Sequence, residues 1–340
     1  MRRVVVLGGR GLFGRTAAEE LRALGLEPEI ASRRPGVDVR VDANDRDDLR
    51  HAFREGDLVI DTAGPFQERS TALVDAAIDV GFDVVDINDD LSYAERVVAL
   101  NESIDRAGIR VLSSCSSVSA ISASIVQRSG AKKPVRLTGF LAPATKYTAN
   151  PGSALSLIRS VGRPVRALRG GRLATLRGWR EARGFAMPEP VGALKGRLFE
   201  SADALLLPRV WPSLDTVELF VDPNAPGLAA LLALAARLPA VRRLLERCVG
   251  LGTKLSRLVG SPAGGLGYEV EDSGGEIARF AVVSRAGGHR TPVAPAVLAA
   301  RKIAEGSFDQ RGLVPPDRHV DAAELTEYLK SRDIAIVRLE

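Results

Sequence analysis

The chain has 340 residues, 45% hydrophobic and 26% charged, with a net charge of +5, so it is globular and long enough for two cores. Two cysteines, Cys115 and Cys248, cannot build a disulfide framework, and no His/Cys cluster has metal-ligand spacing, so no metal is expected. The amino terminus enters an apolar strand at once, which leaves no room for a signal peptide and makes a cytoplasmic protein the expectation.

That first strand, Val4-Val5-Val6-Leu7, runs into Gly9-x-Gly11-x-x-Gly14 and then a helical pattern through Leu21 and Leu24. Strand, glycine turn and helix in this order make a dinucleotide-binding site. Gly9 is expected to permit the tight turn, Gly11 to let the backbone approach a pyrophosphate, and Gly14 to pack the helix closely on the strand. The pyrophosphate then faces the free N–H groups of the helix start, at Leu12, Phe13 and Gly14. The second strand, Glu29 to Ser32, ends where an NAD site carries an acid for the ribose hydroxyls. Here stand Ser32-Arg33-Arg34. A guanidinium there holds a 2′-phosphate that an acid would repel, which favours NADP over NAD.

Alternation continues. Val37 to Asp42 reads as a strand, Asp45 to Arg54 as a capped helix, and Leu58 to Ala63 as a buried strand stopped by Gly64-Pro65-Phe66. A helix from Glu68 to Val80, a strand at Asp83–Asp86, a helix from Ser92 to Ala107 and a strand at Arg110–Leu112 follow. This βαβ repetition predicts an α/β fold, a Rossmann-type doubly wound parallel sheet with ligands at the carboxyl ends of its strands.

From Pro134 the pattern changes. Val135 to Leu141, Thr216 to Val221, Gly267 to Glu271 and Ile277 to Ser284 read as strands between Pro- and Gly-broken stretches, the last two joined as a hairpin. Helical pattern occupies 227–258, interrupted at Pro239 and Gly250. The expectation is an inserted α+β substrate domain at 121–287, built on a mainly antiparallel sheet. After Pro292 come a helix to Glu305, another from Ala322 to Ser331 and a strand from Ile334 to Arg338. Residues 1–120 and 288–340 are expected to form the dinucleotide-binding domain.

Several of these segments resemble the saccharopine dehydrogenase-like family. They are the glycine turn, Val41-Asp42-Ala43-Asn44, Leu58 to Phe66 with its ending Ala63-Gly64-Pro65-Phe66, and Ala76 to Asp86; in the tail they are Thr291-Pro292, Glu305-Gly306 and Arg311 to Pro316. The likeness covers about residues 3–115 and 288–335. It implies an NADP-binding domain interrupted by a substrate domain, catalysis in the cleft between them, and hydride transfer at a C=N or C=C bond. It further implies Asp42 near the adenine, and Gly64, Pro65 and Phe66 near the ribose and nicotinamide. One turn departs from the pattern. Relatives acting on amino acids carry a glycine-rich turn with Pro-Gly after the sixth strand, and this chain has Ser113-Ser114-Cys115-Ser116-Ser117-Val118-Ser119, which argues against an amino-acid substrate.

Charge divides unevenly: residues 1 to 120 carry a net −7 and residues 121 to 220 a net +10. A basic segment beside a cofactor suits an anionic small-molecule substrate. Nucleic acid is not expected, because few aromatics accompany the basic residues and no binding motif is present. For proton transfer the candidates are Lys146 and Tyr147, where an ammonium lowers a neighbouring phenol's pKa, and His289, with Arg290 beside it to clamp a carboxylate. The 227–258 stretch is apolar, then basic and amphipathic. It offers a peripheral membrane contact that receives a lipid-like substrate, as the resemblance to the enoyl reductase-like branch of this family implies, or else a buried helix or the contact of a homodimer. A further alternative is a non-catalytic NADP-binding redox sensor or partner protein.

Overall fold

The computed structural model describes residues 2–225 and 227–340. In chain order the first elements are β1 (Val4–Leu7), α1 (Leu12–Ala23), β2 (Glu29–Ser32), β3 (Val39–Arg40), α2 (Arg46–Ala52), β4 (Leu58–Asp61), α3 (Ala72–Val80), β5 (Asp83–Asp86), α4 (Leu91–Val98), α5 (Asn101–Ala107), β6 (Arg110–Leu112) and α6 (Ala120–Ser129). Then come β7 (Pro134–Ala142), α7 (Thr145–Thr148), α8 (Pro151–Ser160), β8 (Pro164–Arg169), β9 (Arg172–Arg177), β10 (Ala182–Ala186), β11 (Ala193–Phe199), α9 (Asp203–Val210) and β12 (Thr216–Val221). The remainder is α10 (Leu228–Arg237), α11 (Pro239–Arg247), α12 (Val249–Val259), β13 (Gly264–Asp272), β14 (Ile277–Ser284), α13 (Ala294–Glu305), β15 (Gly312–Leu313), α14 (Ala322–Lys330) and β16 (Ile334–Leu339).

Two compact units result, one of residues 1–123 and 290–325, the other of 124–289 and 326–340. The first holds a seven-stranded sheet in the order β15-β6-β5-β4-β1-β2-β3, parallel throughout. β1, β4 and β5 are buried along their whole length, which is why Val4 to Leu7 and Leu58 to Ile60 read as apolar runs rather than alternating ones, whereas β5 sets Val84 and Val85 between two buried aspartates. From β1 the chain winds outward to β2 and β3, then returns to β4 on the other side of β1, so the order reverses at the carboxyl ends of β1 and β4. In such sheets that reversal opens a crevice for a ligand. At the opposite edge, arginines bind acids across the strands. Arg2 reaches Asp83 at 2.6 Å, Arg110 the same carboxylate at 3.1 Å, and Arg3 reaches both Asp57 and Glu29 at 2.7 Å.

The second unit holds a nine-stranded sheet in the order β10-β11-β12-β7-β13-β14-β16, with β8 and β9 leaving it from β12. Every pairing is antiparallel except β12 with β7. Phe140 anchors its core, stacked on Phe185 at 4.7 Å and Phe220 at 5.8 Å. A separate cluster gathers Trp179, Ile158, Val161, Leu232 and Ala235 beneath α10, α11 and α12.

Several boundaries differ from expectation. β16 pairs with β14, so the chain's end belongs to the second sheet and not with the dinucleotide-binding domain as expected for everything after 288. An alternating apolar strand carries no record of which edge it joins. The helix expected from Ser92 to Ala107 breaks at Ala99-Leu100 into α4 and α5, and the one expected from Glu68 starts at Ala72, because Phe66–Glu68 forms a 3-10 turn. Strands β8 to β11 had no signal: their arginines and small residues obscure a period of two.

Candidate functional site

The glycine turn links β1 to α1. Gly8, one residue before the motif, takes the left-handed conformation at φ +79°, so the tight turn falls to it rather than to Gly9. Gly14 is required by packing. A Cβ there would lie 2.4 Å from the Gly8 carbonyl oxygen and 2.7 Å from Thr62 Oγ1, where no atom fits. Gly11 caps α1 in extended geometry with no side-chain acceptor, and the first helical bond to a carbonyl is the Arg15 N–H to Gly11 at 3.0 Å. The N–H groups of Leu12, Phe13 and Gly14 thus begin the helix without a side-chain cap, the arrangement that receives a phosphate. The backbone fits a dinucleotide.

Arg33 and Arg34 are exposed, and neither has an acidic partner among the described residues. The Ser32 hydroxyl accepts the Arg34 N–H at 3.2 Å and shapes the turn that presents both guanidiniums. Arg10, between the glycines, was not singled out from the sequence. Its guanidinium donates to the Pro35 carbonyl at 2.5 Å and so ties the glycine turn to the turn after β2. Three arginines therefore flank the place where a ribose acid would otherwise stand. Position within the glycine motif was the only signal for Arg10.

At the end of β4, Asp61 and Arg69 form a buried pair at 2.9 Å. Arg69 also donates to the Ala63 and Ala43 carbonyls at 2.7 and 3.1 Å and to Asn44 Oδ1 at 3.2 Å. One side chain holds together Ala63, leading to Gly64 and Pro65, and the turn after β3. Phe66 is buried against Tyr93, ring centroids 5.2 Å apart, so its ring is committed to packing. Asp42 accepts the Asn44 N–H at 3.0 Å and shapes the turn into α2.

At the end of β5, Asp86 is fully buried and accepts the N–H groups of Ser114 and Asn88 at 2.7 and 3.0 Å. Burial pushes its carboxyl up to about 6, against the pull of those two donors. The serine-rich turn after β6 thus serves Asp86 with backbone. Cys115, within it, is buried, and burial raises its thiol well above the ordinary range, the opposite of a reactive cysteine.

The second unit brings two candidates together from distant parts of the sequence. The rings of Tyr147 and His289 lie 6.0 Å apart, and Tyr147 is 36% exposed. Lys146 precedes Tyr147 on α7, a short helix rather than the expected loop, and its side chain is exposed. The segment is braced: Thr145 Oγ1 donates to the Asn224 carbonyl, Asn224 Nδ2 donates to the Pro143 and Ala263 carbonyls at 2.9 Å, and the Lys146 N–H reaches the Ser261 carbonyl. Arg290, expected to clamp a carboxylate, is instead paired with Glu20 of α1 at 2.7 Å. Glu20 had given no sign of this in the sequence, where 270 positions separate the two.

Residues 4–112 match the saccharopine dehydrogenase NADP binding domain family. Among solved structures the chain is similar to apo saccharopine dehydrogenase (L-Glu forming) from Saccharomyces cerevisiae, at 14% identity and a TM-score of 0.62, covering 100% of both chains. A myo-inositol dehydrogenase from Corynebacterium glutamicum (12% identity, 100% and 99% covered, TM-score 0.38) and a scyllo-inositol dehydrogenase from Lactobacillus casei (12%, 99% and 99%, 0.42) also match. No curated protein matches in sequence.

Proposed function

We propose that the chain, whose residues 4–112 match the saccharopine dehydrogenase NADP binding domain family, is an NADP-dependent oxidoreductase. The observation that carries the cofactor preference is the group of unpaired cations, Arg33 and Arg34, beside Arg10 and an uncapped helix start. In this reading the N–H groups of Leu12, Phe13 and Gly14 hold the pyrophosphate and the guanidinium of Arg33 holds the 2′-phosphate. The nicotinamide, when bound, supplies or accepts the hydride. Arg69 fixes the shape of the Ala63-Gly64-Pro65 turn without touching substrate.

The substrate is an anionic or lipid-like small molecule with a C=N or C=C bond, which the basic second unit would attract. For the proton we assign Tyr147 and His289. The phenol can give its proton to the substrate, and the neighbouring imidazole, carrying a proton taken up from solvent, can return one to the phenolate; Lys146, exposed beside them, offers a cation to an anionic substrate. NADPH oxidation against pooled imines, enones and keto acids tests this. Turnover is expected with one pool, and Tyr147→Phe or His289→Gln should lower kcat by about 100-fold or more while leaving NADPH affinity unchanged. NADPH binding with no turnover in any pool would instead support a redox-sensing protein.

A further inference from the structure

Helices α10, α11 and α12 carry more apolar surface than their packing uses. Their inner sides, through Leu232, Ala235, Val241, Leu245 and Val249, close on Trp179, Ile158 and Val161. One apolar stripe seats a surface helix, and the far side is ordinarily polar. Here the far side is leucine again. Leu231, Leu234 and Leu238 recur at helical spacing along α10 and just past it, and Leu251, Leu255 and Leu258 along α12, so each set shares a face. Leu251 is 71% and Leu258 81% exposed, the two highest values among the large apolar side chains of the described residues.

Cations are interleaved with these leucines. Arg237, Arg243, Arg247 and Lys254 are exposed, and none has an acidic partner among the described residues. Glu246, the one acid between 227 and 259, is approached by Arg163 at 3.6 Å and Arg242 at 3.9 Å. No helix among the described residues is long and apolar enough to cross a membrane.

We propose that this face rests on an anionic phospholipid surface, its leucines at the boundary of headgroups and acyl chains and its four cations against lipid phosphates. Charge decides between occupants. A twofold pair of identical chains would set the same patch against itself, and so bring four cations near four others in a drying interface where only Glu246 is acidic. Anionic lipid supplies counter-charge in any arrangement, and its apolar boundary accepts leucines that need no shaped groove. The contact lies in the plane of the surface, with no element inserted through it. It does not depend on the oxidoreductase reading, since binding is measured without cofactor or substrate.

Sedimentation of the full chain with vesicles of phosphatidylcholine alone, and of phosphatidylcholine mixed equally with phosphatidylglycerol, tests this at low and high salt. Retention is expected on the mixed vesicles at low salt, weakening as salt rises. Arg243→Gln with Arg247→Gln should weaken it by about fivefold for each cation removed. Leu251→Gln with Leu258→Gln should weaken it by about tenfold or more, and because both side chains are exposed the fold should survive, as near-ultraviolet circular dichroism would report. No retention on mixed vesicles at low salt overturns the proposal, and so does equal retention on neutral ones. Light scattering without lipid supplies the last arm: a dimer that the leucine pair of substitutions turns into monomer assigns the face to a second copy and overturns the proposal as well.

Discussion

The parallel sheet of the first unit and the α10–α12 helices of the second use arginine in opposite ways. Around the sheet, Arg2, Arg3, Arg69 and Arg110 each bind an acid, and Asp57, Asp61 and Asp83 are buried with them. On the helices, Arg237, Arg243 and Arg247 face solvent with no such acid among the described residues. Arginine abundance therefore says little by itself; the presence of a carboxylate within reach separates a structural cation from one available to a ligand. By that criterion Arg33 and Arg34 belong with the helices, although they sit in the first unit.

Substituting one arginine of each kind sharpens the contrast. Arg69→Met leaves Asp61 buried and uncompensated and should cost about 3–5 kcal/mol, whereas Arg247→Met should change stability by less than about 0.5 kcal/mol. Urea titration of both variants measures this, and equal effects would break the distinction.

Two buried groups of the first unit give it a signature in pH. Burial holds Asp86 up to about 6 and pushes His319 down to about 4. The folded state therefore prefers protonated Asp86, and this contribution is present at acid pH and lost as pH rises from about 4 to 6. It prefers neutral His319, a contribution present above pH 6.5 and lost as pH falls towards 4. The two oppose each other over nearly the same window, each worth on the order of 3 kcal/mol. Relative to the parent, Asp86→Asn should lose stability more steeply from pH 7 to pH 4, and His319→Gln less steeply. Thermal melts across that range check the opposite tilts.

Glycine provides the smallest effect. Gly14→Ala forces a Cβ to 2.4 Å from the Gly8 oxygen and should cost about 1–3 kcal/mol. Gly252→Ala on α12, where nothing lies within 4 Å, should leave stability level or raise it by up to about 1 kcal/mol. The midpoints of urea titrations compare the two.

The parallel sheet was legible because its strands are buried on both faces and its turns carry glycines, so that β1 and most of β4 stand out as apolar runs and β5 as a valine pair. The glycine turn was legible for the same reason, apart from the exchange of roles between Gly8 and Gly9, which depends on dihedrals that composition does not reveal. Strands β8 to β11 were not legible, since the arginines, alanines and glycines scattered through them imitate loop. Partnerships across long separations were also hidden. Neither the pairing of Arg290 with Glu20 nor the approach of Tyr147 to His289 follows from local pattern, because both depend on how distant segments dock. Only geometry distinguishes Arg10 and Arg69 from the other arginines of the chain.

Calorimetric titration with NADPH and NADH, on the parent and on the Arg33→Ala, Arg34→Ala double variant, tests the central claim most directly. The parent should bind NADPH on the order of 100-fold more tightly than NADH, and the double variant should bring the two within a few-fold. No heat with either dinucleotide, or tighter binding of NADH by the parent, would contradict the account.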